Sequence, residues 1–149
     1  MEIRKACAEE ISTLVDLIER IEGERKKAEK RASRINSKGK LILVIEDQTE
    51  LIGYVGISKY DENKKARDYV DTSKFACLMW VGVEPDYRNR GLGSRLLIAS
   101  EALAINWKKK GLWLECGEKR LLFYQGNGYQ EMGHYDKLGK TKYVMAKEF

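Results

Sequence analysis

Residues 81–97 read VGVEPDYRNRGLGSRLL, and the rest of the chain is arranged around them. A run of apolar and β-branched residues (76–83) stops at the only proline, Pro85, and a polar loop leads to Arg88-Asn89-Arg90-Gly91-Leu92-Gly93-Ser94 and an amphipathic helix. The pattern predicts a strand, a basic glycine turn and a helix N-terminus. The first N–H groups of a helix lack intrahelical partners and lie at the positive end of its dipole, so an anion docked there receives several hydrogen bonds at once. Gly91 and Gly93 let a ligand approach the backbone closely, and Arg88, Arg90 and Arg95 add charge nearby. A pyrophosphate fits this chemistry.

Glycine-rich turns between a strand and a helix serve several ligands, so three readings are separated by their residues. A nucleoside triphosphate loop needs Lys followed by Ser or Thr after its last glycine, and here Gly93 is followed by Ser94-Arg95. That reading fails. The dinucleotide fingerprint G-x-G-x-x-G finds Gly91 and Gly93 before a helix and Glu115 about the expected ~20 residues on. It lacks the third glycine, where Leu96 stands, and residues 84–90 separate the first glycine from the strand.

The third reading joins two separate motifs. Arg88-x-x-Gly91-x-Gly93, preceded by Val81-x-Val83-x-Pro85 and followed about thirty residues later by Phe123-Tyr124-x-x-x-Gly128-Tyr129, resembles the GNAT superfamily of acyl-CoA-dependent N-acetyltransferases. The resemblance implies an α+β fold: a central mixed, mostly antiparallel sheet of six to seven strands with one parallel βαβ unit, flanked by about four helices. It also implies acetyl-CoA as cosubstrate, an amine acceptor and no metal. Arg88, Asn89, Arg90, Gly91, Leu92, Gly93 and Ser94 match the family's pyrophosphate site. Val81 and Val83 match positions whose backbone pairs with the pantetheine arm and faces the thioester oxygen. Tyr124 matches the general acid that protonates the leaving thiolate.

A phenol with an ordinary pKa of ~10 stays protonated at neutral pH, which suits that role. The base is less defined. The glutamate that some members carry early on the central strand aligns with Cys77, and residues 76–83 hold no carboxylate or histidine, leaving a water chain, Glu84, Glu115 or a loop carboxylate. Gly117 and Arg120 stand where many members have an asparagine and an alanine. Cys116 reads as a core thiol rather than an acyl-carrying one, and His134 as a surface residue. The alternative function is a non-catalytic acyl-CoA-binding or interaction module on the same fold.

Length and composition agree with one acetyltransferase domain over residues 1–149. Apolar residues make up 43% and charged residues 34%, the balance of a globular domain with a charged surface. The formal net charge of +5 suits a polyanionic cosubstrate, and a solvated lysine-rich face accounts for the rest without a nucleic-acid partner. Cys7, Cys77 and Cys116 read as reduced thiols in or near core strands. No apolar run reaches the ~20 residues of a membrane span and the N-terminus lacks an apolar signal core, so a cytoplasmic protein is expected.

Along the chain, residues 1–6 alternate as a strand with Met1 and Ile3 inward, and Ile11, Leu14, Val15, Ile18 and Ile21 recur at helical spacing. Residues 22–34 are almost wholly charged and predict a solvated or mobile helix with i,i+4 pairs such as Glu22 with Lys26. Residues 41–45 and 51–57 predict an antiparallel hairpin. The polar stretch 59–75 predicts a longer hairpin, a flap over the acceptor pocket, or mobile surface, and its Asp61, Glu62, Asp68 and Asp71 are candidates to receive a cationic amine. After the central turn, Leu92, Leu96, Ala99, Leu103 and Trp107 predict a core stripe, and Gly111 a left-handed helix stop. Residues 112–116 then form a strand parallel to 76–83, residues 120–125 a short helix, and residues 129–135 and 141–147 a closing strand pair whose exposed final strand is the one through which a homodimer would form.

Overall fold

A computed structural model of the chain describes residues 1–60 and 63–149. Its elements are β1 (Glu2–Lys5), α1 (Ile11–Glu22), α2 (Arg25–Ala32), β2 (Lys40–Asp47), β3 (Glu50–Ser58), β4 (Phe75–Val83), α3 (Leu92–Asn106), β5 (Gly111–Cys116), α4 (Leu121–Gly126), β6 (Gln130–Lys137) and β7 (Lys140–Glu148). The strands form one mixed sheet in the order β1-β2-β3-β4-β5-β7-β6, with β4 parallel to β5 and the β1–β2, β5–β7 and β6–β7 pairs antiparallel. This is the α+β architecture read from the sequence. Two compact units divide the chain, one of Met1–Ile57 and Trp80–Ser100, the other of Ser58–Met79 and Glu101–Phe149.

In the first unit, α1 buries Leu14, Val15, Leu17 and Ile18 against Ile42, Val44, Leu51 and Tyr54. Each such side chain contributes about 1.5–3 kcal/mol when fully removed from water. The charged run after α1 is not one solvated helix. Gly23 turns left-handed at φ 80° and ends α1 at Glu22, and α2 then lays the fully buried methyl groups of Ala28 and Ala32 on the same core. Glu22 accordingly pairs not with Lys26 but with Arg31 and Tyr54. In β1 the expected inward Met1 is 53% exposed, while Arg4 is held between Glu10 (2.7 Å) and Glu46 (2.8 Å). Cys7 is exposed, not core; Cys77 and Cys116 are buried.

In the second unit, Trp113 packs among Ala66, Val70, Cys77, Val144 and Ala146. Ala66 and Val70 come from the long polar stretch, which among the described residues adopts a 3-10 turn (Lys64–Asp68) and not a hairpin. The Asn63 side chain caps that turn by accepting from the Lys65 N–H at 2.9 Å. Tyr69 lies on β6 at Gly133, where a Cβ would stand 2.2 Å from the ring, and its hydroxyl donates to the His134 carbonyl at 3.2 Å. Asp61 and Glu62 lie outside the described residues.

The α3 stripe sits one step round from the expected one. Leu92, Leu96, Leu97, Ser100 and Ala104 are buried, whereas Ala99, Leu103 and Trp107 are half-buried. Ser100 is tolerated there because its hydroxyl donates to the Leu96 carbonyl at 2.7 Å. Nor does Gly111 stop the helix. Lys108 takes the left-handed conformation (φ 63°), with N–H bonds from Lys108 to Ile105 and from Lys109 to Ala104 closing the end. Gly111 opens β5, where any Cβ would lie 2.1 Å from the Lys147 carbonyl oxygen. The final strand β7 is interior to the sheet, between β5 and β6, so the edge strands are β1 and β6. No helix among the described residues is long and apolar enough to cross a membrane.

Candidate active site

The turn after β4 is built by backbone geometry. The Glu84 N–H continues the sheet by donating to the Ile52 carbonyl (2.9 Å), and Pro85 opens a 3-10 turn, Pro85–Tyr87, that bends the chain away. Asn89 (φ 62°) and Gly91 (φ 78°) are both left-handed, so the chain reverses twice within three residues. α3 then starts, its first internal bond running from the Arg95 N–H to the Gly91 carbonyl at 3.1 Å. The amides of Leu92, Gly93 and Ser94 precede that bond at the positive end of the helix. Buried Leu92 anchors the turn, while residues 88–91 are exposed. A Cβ on Gly91 would meet nothing within 4 Å, so glycine is required there by its φ and not by crowding.

The arginines brace this turn. Arg88 Nε donates to the Val83 carbonyl (2.9 Å), and Arg90 donates to the Asp86 carbonyl (3.2 Å) while its guanidinium lies 5.2 Å from the Tyr87 ring centre. Val81 is buried and Val83 half-buried on β4. The recorded pairs between β4 and β5 join Phe75, Ala76 and Cys77 to Gly111, Leu112 and Trp113, whereas β4 runs on to Val83.

In the second unit, α4 turns Leu122 and Phe123 outward and Tyr124 inward, leaving Tyr124 4% exposed. Its carbonyl accepts from the N–H groups of Asn127 and Tyr129, both at 3.0 Å, and its ring meets Phe123 and Tyr129 edge-on at 5.1 and 6.0 Å. Gly128 makes the intervening turn at φ 92°. Tyr129 is itself locked: its hydroxyl donates to Glu101 at 3.0 Å, and Lys147 bridges Glu101 (3.0 Å) and the Asn127 carbonyl (3.2 Å). Burial pushes the Tyr124 phenol up to about 12, against the opposing pull of the Arg120 guanidinium. It is a protonated donor at neutral pH.

The other candidates separate by their surroundings. Burial pushes the Cys116 thiol up to about 11, which makes it a poor nucleophile. Glu84 is paired with Arg20, and Glu115 accepts from Asn63 and Tyr135. His134 is on the surface, 3.3 Å from Glu131. Asp71 is occupied by Ser73 and Lys74, and its carboxyl is held below the usual range chiefly by the Ser73 hydroxyl. A cleft of about 820 Å³ in the second unit is lined by Lys59, Arg67, Asp68, Tyr69, Asp71 and Lys109 among others. It brings together Asp68 and Asp71, two of the acceptor candidates, with three cations, and holds none of the expected cofactor-binding or catalytic residues. Among the described residues no cluster of His, Cys, Asp and Glu could hold a metal ion.

A polar group missed by the sequence reading lies in the first unit. The Tyr54 hydroxyl donates to Glu22 Oε2 (2.9 Å) and accepts from Arg31 (2.7 Å), Arg31 lies 3.3 Å from the same Oε2, and its guanidinium is 5.3 Å from the Trp80 ring centre. The signal was Gly23, a helix stop directly behind the one glutamate of this group.

Residues 9–129 match the model of the acetyltransferase (GNAT) family, and the chain belongs to that family. Its fold is similar to those of several solved acetyltransferases. One is an aminoglycoside 6'-N-acetyltransferase complexed with coenzyme A (TM-score 0.81, 16% identity, covering 99% of this chain and 97% of that one). Another is the ribosomal-protein-alanine N-acetyltransferase of Brucella melitensis (0.75, 18%, 100% of both chains). A third is the PaiA N-acetyltransferase of Thermoplasma acidophilum in complex with coenzyme A (0.71, 19%, 99% and 98%). No curated protein matches the chain by sequence.

Proposed function

We propose that the protein moves the acetyl group of acetyl-CoA directly to a primary amine of a small molecule or protein. The observation that carries this reading is the double left-handed turn at Asn89 and Gly91, which presents the N-terminal amides of α3 on an exposed loop directly after β4. Those amides and the braced Arg88 and Arg90 fit a pyrophosphate, with Asn89, Gly91, Leu92, Gly93 and Ser94 supplying backbone. Val81 and Val83 would hold the pantetheine arm along β4. Acetyl-CoA, when bound, supplies an activated acyl carbon; the chain's own residues hold it, orient it and move protons. Tyr124, protonated and buried, gives its proton to the departing thiolate.

Two of the similar structures, the aminoglycoside 6'-N-acetyltransferase and PaiA, hold coenzyme A. The first of these and the ribosomal-protein-alanine N-acetyltransferase are named for amine-bearing substrates, which supports an amine acceptor here. The same reading makes the chain one domain, working in the cytoplasm, where its three cysteines stay reduced. A homodimer would use the β6 edge in place of β7.

Calorimetry with acetyl-CoA, using NADH and ATP as controls, tests the reading. Selective micromolar binding, lost in Gly93→Glu because a carboxylate then faces the pyrophosphate, supports it. Unchanged affinity in that variant removes the turn from the site. Binding without thiol release to any amine favours the non-catalytic module, for which the lack of a carboxylate on β4 is the specific observation.

A further inference from the structure

Glu22 stands where helix physics alone would not put it. It is the last residue of α1, and a carboxylate at a helix C-terminus faces the negative end of the dipole. Its position is set instead by Tyr54 and Arg31, which come from β3 and α2, and by Gly23, whose φ of 80° turns the chain away immediately behind it. Both contacts fall on Oε2. Among the described residues Oε1 has no hydrogen-bond partner, although the side chain is only 17% exposed. A half-buried carboxylate with one oxygen held and the other unused is arranged to accept a proton or an N–H.

The group also touches the strand assigned to the thioester. A Cβ on Gly82 would lie 3.5 Å from Glu22 Oε2, 2.7 Å from the Tyr54 ring and 2.9 Å from Ile21, so Gly82 leaves β4 bare at the point where this cluster rests on it. Gly82 lies between Val81 and Val83. The groups facing Glu22 are therefore Arg31 from α2, the Tyr54 hydroxyl from β3, and the backbone of β4, which carries no charge there. Burial pushes the Tyr54 hydroxyl well above its ordinary range, so it remains a donor to Oε2.

We propose that Glu22 is a catalytic residue of the acetyl transfer, receiving the acceptor's nitrogen at Oε1 and taking its proton, with Tyr54 and Arg31 as the positioning residues that hold it. This rests on the acetyl-transfer reading above. The amine nitrogen forms its bond to the acetyl carbon while the carbon–sulfur bond breaks, its electron pair leaving on sulfur. The proton lost by nitrogen passes to Oε1 of Glu22 and from there to solvent. The sulfur is protonated from the Tyr124 hydroxyl, which solvent reprotonates.

Thiol release from acetyl-CoA, to water alone and to kanamycin, spermidine and an alanine-initiated peptide, tests the assignment, with acetyl-CoA affinity measured separately by calorimetry. Glu22→Gln keeps a hydrogen-bond acceptor for Tyr54 and Arg31. It is expected to bind acetyl-CoA within about twofold of the parent and to release thiol roughly 10²-fold more slowly. Formate is expected to restore part of the rate of Glu22→Ala, and Tyr54→Phe to lose less than Glu22→Gln. Parental rates in Glu22→Gln, a loss confined to the comparison variant Glu115→Gln, or acetyl-CoA affinity lost together with turnover would each overturn the proposal. So would parental protein that binds acetyl-CoA yet releases no thiol even to water. Failure of the parent to bind acetyl-CoA is a separate result, and overturns the acetyl-transfer reading itself.

Discussion

Tyr124 owes its expected role to three neighbours more than to its own chemistry: Phe123 and Tyr129 wall its ring, and Gly128 lets the chain fold back so that Tyr129 can do so. Tyr124→Phe keeps this packing, so turnover is expected to fall roughly 10²-fold with acetyl-CoA affinity nearly intact, as steady-state thiol release and calorimetry would show. Cysteine chemistry is equally local. A thiol reagent at neutral pH should label Cys7 alone in the folded chain, because Cys77 and Cys116 are buried. Cys116 also carries a pH dependence. Its folded thiol sits near 11 against 9.0 for the ordinary group, so its contribution to stability is fully present below about pH 9 and is lost as pH rises towards 11. Urea midpoints should fall across that window, and fall less in Cys116→Ala. Tyr124 and the turn were legible because their signals lie within a few residues of one another. The Glu22 group was not, since Tyr54 lies 32 residues away and only β3 packing brings it in.

Elements show where periodicity stops informing. The α3 pattern read as a stripe through Ala99, Leu103 and Trp107 is fully compatible with helical spacing, yet the buried row runs through Ser100 and Ala104. A sequence window prices a serine as polar; the helix satisfies its hydroxyl internally and buries it. The end of α3 misled for a related reason, because glycine is the usual left-handed stop and here lysine serves. Lys108→Gly should therefore raise stability by about 0.5–1 kcal/mol, read from a urea denaturation midpoint. Gly111→Ala should act oppositely. Its Cβ would meet the Phe75 ring of β4 and the Lys147 carbonyl, which cannot yield without parting β5 from β7, and a loss of at least ~2 kcal/mol is expected in the same measurement. The strand–turn–helix sequence itself, with its proline and glycines, was fully legible.

At the scale of the whole molecule, β4 and α3 each contribute residues to both compact units. On the one-domain proposal, denaturation followed by Trp fluorescence and by far-ultraviolet circular dichroism should give coincident single transitions. Two separated transitions would contradict the one-domain reading. Strand order was the least legible feature. Hairpin reasoning pairs β6 with β7 correctly, but it cannot tell that β7, the later strand, inserts beside β5 and leaves β6 outermost. That choice depends on the β5–β7 register, six residue pairs from Gly111–Glu148 to Cys116–Tyr143, which no local window contains.

The seat of Tyr69 on Gly133 bears on how this protein could be re-engineered. The segment before β4 is a long polar stretch, which invites exchanging it for one from another acetyltransferase. Here, however, the ring and the missing side chain form a matched pair across 64 residues of chain. A chimera that imports a new segment without Tyr69 would leave a bare notch on β6, and one that fills position 133 would evict the segment. The two positions have to be exchanged together.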